Sequence, residues 1–157
     1  MIPLMLKLKK ALHKNIARAQ DILVEEMYNV FNKPVIHGGT AIWRCYKGNR
    51  FSEDIDVYLG KDNGKINLFF DNLAKRGFSI EKKKVTKNSL FSQLKLNRTS
   101  VRFEALLKTK NGILKEYETV DGNLITVYTL TSEELLNENI QAYLKRLKVR
   151  DMYDIFF

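Results

Sequence analysis

His37-Gly38-Gly39-Thr40-Ala41-Ile42, followed a few residues on by Arg50-Phe51-Ser52-Glu53-Asp54-Ile55-Asp56-Val57, is the stretch on which the reading of this 157-residue chain turns. Val35-Ile36-His37 reads as a short buried strand that ends at the glycine pair. Thr40 can then cap a brief helix, Ala41 to Lys47, which Gly48-Asn49 terminates. Asp54 to Leu59 alternates as a strand. On it Asp54 and Asp56 project from one face, while Ile55, Val57 and Leu59 point the other way into a core. Two carboxylates so placed offer hard oxygen ligands that can share one Mg²⁺ or bracket two. With eight Asp in the chain the pair is a weak signal by itself, and its neighbourhood carries the weight. Glycines let the backbone approach a phosphate closely, and a helix N-terminus directs free N–H groups at an anion. Arg50 and Ser52 share the parity of Asp54 and Asp56, on the strand face or in the loop before it. The combination suits a face that handles a metal-bound triphosphate.

Working outward, residues 4–31 recur in apolar character at helical spacing (Leu8, Leu12, Ile16, Ala19, Leu23, Met27, Val30), with Pro3 acceptable at the start and Asn32-Lys33-Pro34 as the break. A second helix is predicted over about 66–76, with Gly77 just past its end. The pattern then changes to strands at 78–86, 90–97, 100–108, 113–119 and 123–128, with Asn111-Gly112 and Asp121-Gly122 as the best hairpin signals. Thr131 to Glu134 reads as a capping box with Leu130 and Leu135 as its staple. Helix resumes over 132–147 and again to Phe157. The expectation is an α+β fold: a mixed β-sheet flanked by helices, with a helical C-terminus. The whole of 1–157 forms one domain, with a sheet-bearing core to about 128 and C-terminal helices over 130–157.

Composition narrows the class. An apolar fraction of 45% and a charged fraction of 29% exclude wholesale disorder. One cysteine, Cys45, excludes an internal disulfide framework, and two histidines leave no Cys/His zinc site. The apolar run 1–6 precedes its lysines, the reverse of a signal peptide, and no window approaches a membrane span. A soluble, cytoplasmic protein with no membrane partner is expected. The net charge of +9 is unevenly placed: between Glu81 and Lys110 nine basic residues stand against two acidic. That is the footprint of a polyanion binder, although a solvated lysine-rich hairpin reads the same way. His37 reads as a strand residue against the core, Trp43 and Tyr46 as packing residues, and Cys45 as buried and inert.

The Gly-Gly-Thr and Arg-x-Ser-x-Asp-x-Asp pairing resembles the signature of AbiEii/AbiGii-type nucleotidyltransferase toxins, of the DNA polymerase β-like nucleotidyltransferase superfamily. Glu138, Ala142, Arg146, Arg150-Asp151, Tyr153 and Asp154 are similar to that family's C-terminal helix motif, so the likeness runs over about residues 20–157. The resemblance implies the polymerase β-like fold and a transfer of a nucleotidyl group from an NTP to a hydroxyl, with release of pyrophosphate. It implies a third carboxylate on a neighbouring strand, for which Glu104 is the best candidate by parity, since Val101, Phe103 and Ala105 would face the core. Asp54, Asp56 and Glu104 would hold Mg²⁺ or Mn²⁺, and Asp151 would reach the site from the C-terminal lobe. Gly38, Gly39, Thr40, Arg50 and Ser52 would meet the nucleotide. Asn139 stands where the family has Lys, which removes a charge-assisted contact of roughly 1.5–3 kcal/mol. Lys145 and Lys148 are candidates to replace it. The expected acceptor is RNA, the 3′ end of a tRNA, in a toxin-type enzyme neutralised by an antitoxin protein. The alternatives are nucleotidylylation of a protein side chain, or a degenerate member that binds nucleotide or RNA without turnover. The chain ends in an apolar Ile155-Phe156-Phe157, expected in mid-helix, as in a short or truncated form.

Overall fold

In the computed structural model, which describes Leu4, Leu8 and residues 10–146, the elements are helices α1 (Ala11–Val30), α2 (Gly38–Cys45), α3 (Asn63–Lys75) and α4 (Ser132–Arg146) and strands β1 (Val35–His37), β2 (Asp54–Leu59), β3 (Phe78–Val85), β4 (Ser89–Leu96), β5 (Thr99–Leu107), β6 (Ile113–Glu118) and β7 (Leu124–Thr129). The strands form one mixed sheet in the order β3-β4-β5-β2-β1-β7-β6. β2 lies at its centre, antiparallel to β1 and parallel to β5. A parallel neighbour requires a long crossover, which α3 and the β3–β4 hairpin supply. The alternation read in the sequence decides which way each strand faces. Ile55, Val57, Leu90, Leu94, Val101, Phe103 and Ala105 pack with Ile16, Leu23 and Met27 of α1 and Phe69, Phe70 and Leu73 of α3 in one core. The opposite face, with Asp54, Asp56 and Glu104, meets α4 across a cavity.

The α+β expectation holds, and each of the five strands from 78 onward falls within a residue or so of its predicted bounds. The capping box forms as read: Thr131 Oγ1 accepts from Glu134 N at 3.2 Å, Glu134 Oε1 accepts from Thr131 N at 3.1 Å, and Leu130 and Leu135 are buried. Three boundaries differ. α1 begins at Ala11 rather than residue 4, because Lys10 is extended and Leu8 leaves the helical stripe to join Leu4, Ala17, Trp43 and Val120 in a second cluster. α2 begins at Gly38, with no side-chain cap, so Thr40 lies inside its first turn. α3 begins at Asn63 because Asp62 accepts a hydrogen bond from Lys65 N at 3.1 Å, overriding the poor propensity of Gly64. No helix among the described residues is long and apolar enough to cross a membrane.

Candidate active site

Register brings the predicted carboxylates side by side. Asp54 of β2 pairs with Arg102 of β5, and Asp56 with Glu104, so all four side chains rise from the same face. His37, the last residue of β1, stands opposite Asp56 on the other side. These residues line a cavity of about 960 Å³, closed on its far side by Glu138, Gln141, Ala142 and Lys145 along one face of α4. Gly38, Gly39, Arg50 and Ser52 also line it. Thr40 does not: it is fully buried, and its hydroxyl donates to the carbonyl of Asp54 and lies within hydrogen-bond distance (3.0 Å) of Ser52 Oγ. It ties the start of β2 to α2 instead of facing the cavity. Asp151, Arg150, Tyr153, Asp154 and Lys148 lie outside the described residues.

The electrostatics are those of crowded acids. Burial pushes the Asp56 carboxyl up to about 7, helped by the charge and hydrogen bonding of Glu104 and by Asp54, and opposed by His37. Among the described residues no three His, Cys, Asp or Glu side chains stand as a group that could hold a metal ion. The donor set is all carboxylate oxygen, the kind that hard divalent cations take. A buried carboxyl that resists ionisation is also one whose charge a cation would compensate.

Gly38 is required here for two reasons. Its φ is +72°, and a Cβ on it would lie 2.7 Å from Asp56 Oδ2. Gly39 is a milder case, since a Cβ there meets the end of the Arg50 side chain and Ser52 Oγ. Gly38→Ala is expected to cost about 1–2 kcal/mol of stability from the left-handed backbone. It should also lower any turnover at this site by roughly 10²-fold, because Asp56 must shift. Gly60→Ala, with nothing within 4 Å, is the control that should change neither. Urea unfolding beside an activity assay separates the two effects.

Several site residues were not legible in sequence. His37, expected against the core, stacks on Tyr58 with ring centroids 4.1 Å apart and hydrogen-bonds through Nδ1 to Glu138 at 3.1 Å. Tyr58 donates to the other Glu138 oxygen at 2.5 Å. Burial alone would raise the Glu138 carboxyl, but the bonds from His37 and Tyr58 outweigh it and hold it below the usual range. Glu138 thus pins α4 over the sheet and sets the far wall. Lys108 and Lys110, from the end of β5, bring ammonium groups to 5.3 and 5.6 Å from the Tyr58 ring. Asn139 is buried, and its Nδ2 has no hydrogen-bond partner. Trp43 packs as expected, and burial pushes the Cys45 thiol up to about 12, leaving it inert.

The chain matches a family model described as nucleotidyl transferase AbiEii toxin, type IV toxin–antitoxin system, over residues 21–157. Curated protein sequences give no match. Among solved structures, the fold is similar to MenT4, the nucleotidyltransferase toxin Rv2826c from Mycobacterium tuberculosis H37Rv (20% identity, TM-score 0.69, over 92% of this chain and 59% of that one). It is also similar to JHP933 from Helicobacter pylori (18%, TM-score 0.64, 93% and 65%) and to a protein described as a nucleotidyltransferase from H. pylori (17%, TM-score 0.68, 93% and 67%). At these identities the likeness is one of fold. The chain spans about three-fifths of the length of MenT4 and about two-thirds of the H. pylori chains.

Proposed function

Because this chain belongs to the AbiEii nucleotidyltransferase toxin family, we propose that it transfers a nucleotidyl group from an NTP to a hydroxyl at an RNA end, the 3′ end of a tRNA. The observation that carries this reading is the register that sets Asp56 beside Glu104 and Asp54 beside Arg102, with Gly38 pressed against Asp56 in the same cavity.

Asp54, Asp56 and Glu104, which share a strand face without standing as a ready metal-holding group, would have to converge to hold Mg²⁺ or Mn²⁺. Such ions would neutralise the triphosphate and lower the pKa of the acceptor hydroxyl. The N–H groups at the start of α2, freed by two glycines, face the phosphates. Arg50, Ser52 and Lys145 add donors around them. In the transfer the acceptor oxygen bonds to the α-phosphorus and the bond to the β-phosphate breaks. Pyrophosphate leaves with the electron pair, and the hydroxyl proton passes to a carboxylate of the row. By family resemblance Asp151, which lies outside the described residues, would join this site. Lys108 and Lys110, near Tyr58, offer the positive charge that Asn139 does not. A cytoplasmic toxin restrained by a separate antitoxin protein completes the reading.

The test is incubation with each labelled NTP in turn, Mg²⁺ or Mn²⁺, and total cellular RNA, resolved on a gel. Label in a tRNA-sized band, absent in EDTA, is the expected result. Label in protein instead would redirect the acceptor. NTP binding by calorimetry with every acceptor unlabelled would select a member without turnover, the outcome that Asn139 favours.

A further inference from the structure

Strands β3, β4 and β5 bury one face and leave the other open. Leu90, Leu94, Val101, Phe103 and Ala105 enter the core, so the alternate residues of β4 and β5 share the face of the carboxylates. The register lines them up in rows that begin at the site: Asp56, Glu104, Phe91 and Lys84 in one, and Asp54, Arg102, Gln93 and Lys82 in the next. Lys95 stands beyond them, opposite Ser100. Lys82, Lys84, Lys95 and Arg102 are exposed, and Phe91 is half-buried. Lys83 is on the reverse face, its ammonium 4.4 Å from the Phe70 ring. One acid intrudes: Glu81 accepts from Ser100 Oγ at 2.6 Å and Gln93 Nε2 at 3.3 Å. Outside the carboxylate row, four cations therefore face one anion. Three strand spacings of ~4.8 Å put Lys84 about 14 Å from Asp56.

We infer that this open face is the track along which the single-stranded end of an RNA runs into the carboxylate row, with phosphates over Lys82, Lys84, Lys95 and Arg102 and a base stacked on Phe91. The inference rests on the reading of an RNA acceptor above and assigns its path. Charge complementarity selects a polyanion, and continuity with the row of carboxylates places its end at the site. A half-exposed aromatic among spaced cations is the arrangement that holds single strands, whose bases are free to stack. Geometry thereby sorts seven of the nine basic residues between 82 and 110, all but Lys87 and Arg98. Four serve the track, Lys83 covers Phe70, and Lys108 and Lys110 stand over Tyr58.

The experiment is fluorescence anisotropy of the full chain, without NTP or metal, on a labelled single-stranded RNA of about 12 nucleotides and on the corresponding duplex, across a salt series. The triple variant Lys82→Ala/Lys84→Ala/Lys95→Ala is expected to bind the single strand about 10–100-fold more weakly and to flatten the log K against log salt slope by about 2. Phe91→Leu should lose about tenfold with the slope unchanged. The charge-matched triple Lys33→Ala/Lys61→Ala/Lys75→Ala should stay within about threefold of the parent. Equal weakening by the two triple variants, no loss in Phe91→Leu, or equal binding of duplex and single strand would overturn the track. The two readings fail separately. RNA labelled as well by the Lys82/Lys84/Lys95 variant as by the parent sinks the track alone, and RNA bound along the track but never labelled sinks the transfer alone.

Discussion

Asp56→Asn is expected to lower the proposed nucleotidyl transfer by about 10²–10³-fold or more, and in the same variant to raise the melting temperature of the metal-free protein above pH 7. The two effects have one cause. Asp56 is held where burial, Glu104 and Asp54 all oppose its charge, so its carboxyl rises from 3.8 to about 7. Between those values the native state binds more protons than the unfolded chain. Stability is therefore greatest below pH 4 for this group and is lost as pH rises through 7. At 1.36 kcal/mol per pH unit the loss by pH 8 is about 2–4 kcal/mol. Asparagine mimics the protonated acid and carries no such pH dependence. In EDTA the parent should melt lower at pH 8 than at pH 5, while Asp56→Asn changes far less. A divalent cation should restore the parent at pH 8 and leave the variant where it was, since the stabilisation follows binding to the native state alone. A parent melting temperature flat from pH 5 to 8 in EDTA would show that the carboxyl is not strained.

Arg44→Ala is expected to destabilise the protein by about 3–5 kcal/mol, a large share of the 5–15 kcal/mol that typically holds a domain. Arg44 is 2% exposed. Its guanidinium donates to Asp21 Oδ1 (2.7 Å), the carbonyls of Glu118 (2.9 Å) and Ala17 (3.2 Å), and Gln20 Oε1 (3.0 Å), and lies 4.9 Å from the Tyr117 ring centroid. Truncation leaves the half-buried Asp21 carboxylate without its guanidinium partner, with the bond from Val120 N still in place. Arg44→Lys should rescue little, because an ammonium cannot reproduce the planar fork. Arg44→Leu combined with Asp21→Leu should recover much of the loss by removing both charges. Urea unfolding of the four proteins checks this, and equal stability of Arg44→Ala and the double variant would refute the ion-pair account. The site feels the same network, since Gln20, bound to Arg44, also donates to the Ser52 carbonyl at 2.9 Å. Folded Arg44 variants should therefore bind nucleotide more weakly as well.

What could be read locally was read from local causes. The alternation of 54–59 decided that Asp54 and Asp56 share a face, and that parity survives in the sheet. The five later strands and their turns, and the Thr131–Glu134 box, follow from periods of two and from cap chemistry spanning four residues. Thr40 shows where such reasoning stops. A threonine after two glycines before a helix looks like a cap, yet a contact twelve to fourteen residues away turns its hydroxyl toward Ser52 and Asp54.

By itself, then, the sequence determined the family, the α+β class, the residues that project from each strand and the concentration of basic charge between 82 and 110. Those depend on side-chain period, turn chemistry and motif, all carried within a few residues. Only the tertiary structure decided that β5 lies parallel to β2 in the register that pairs Glu104 with Asp56, that His37 and Tyr58 meet Glu138 across 101 and 80 positions of the chain, and that Arg44 is buried. Each of these is a contact between segments distant in the chain, chosen by how whole elements pack, and no local period encodes it.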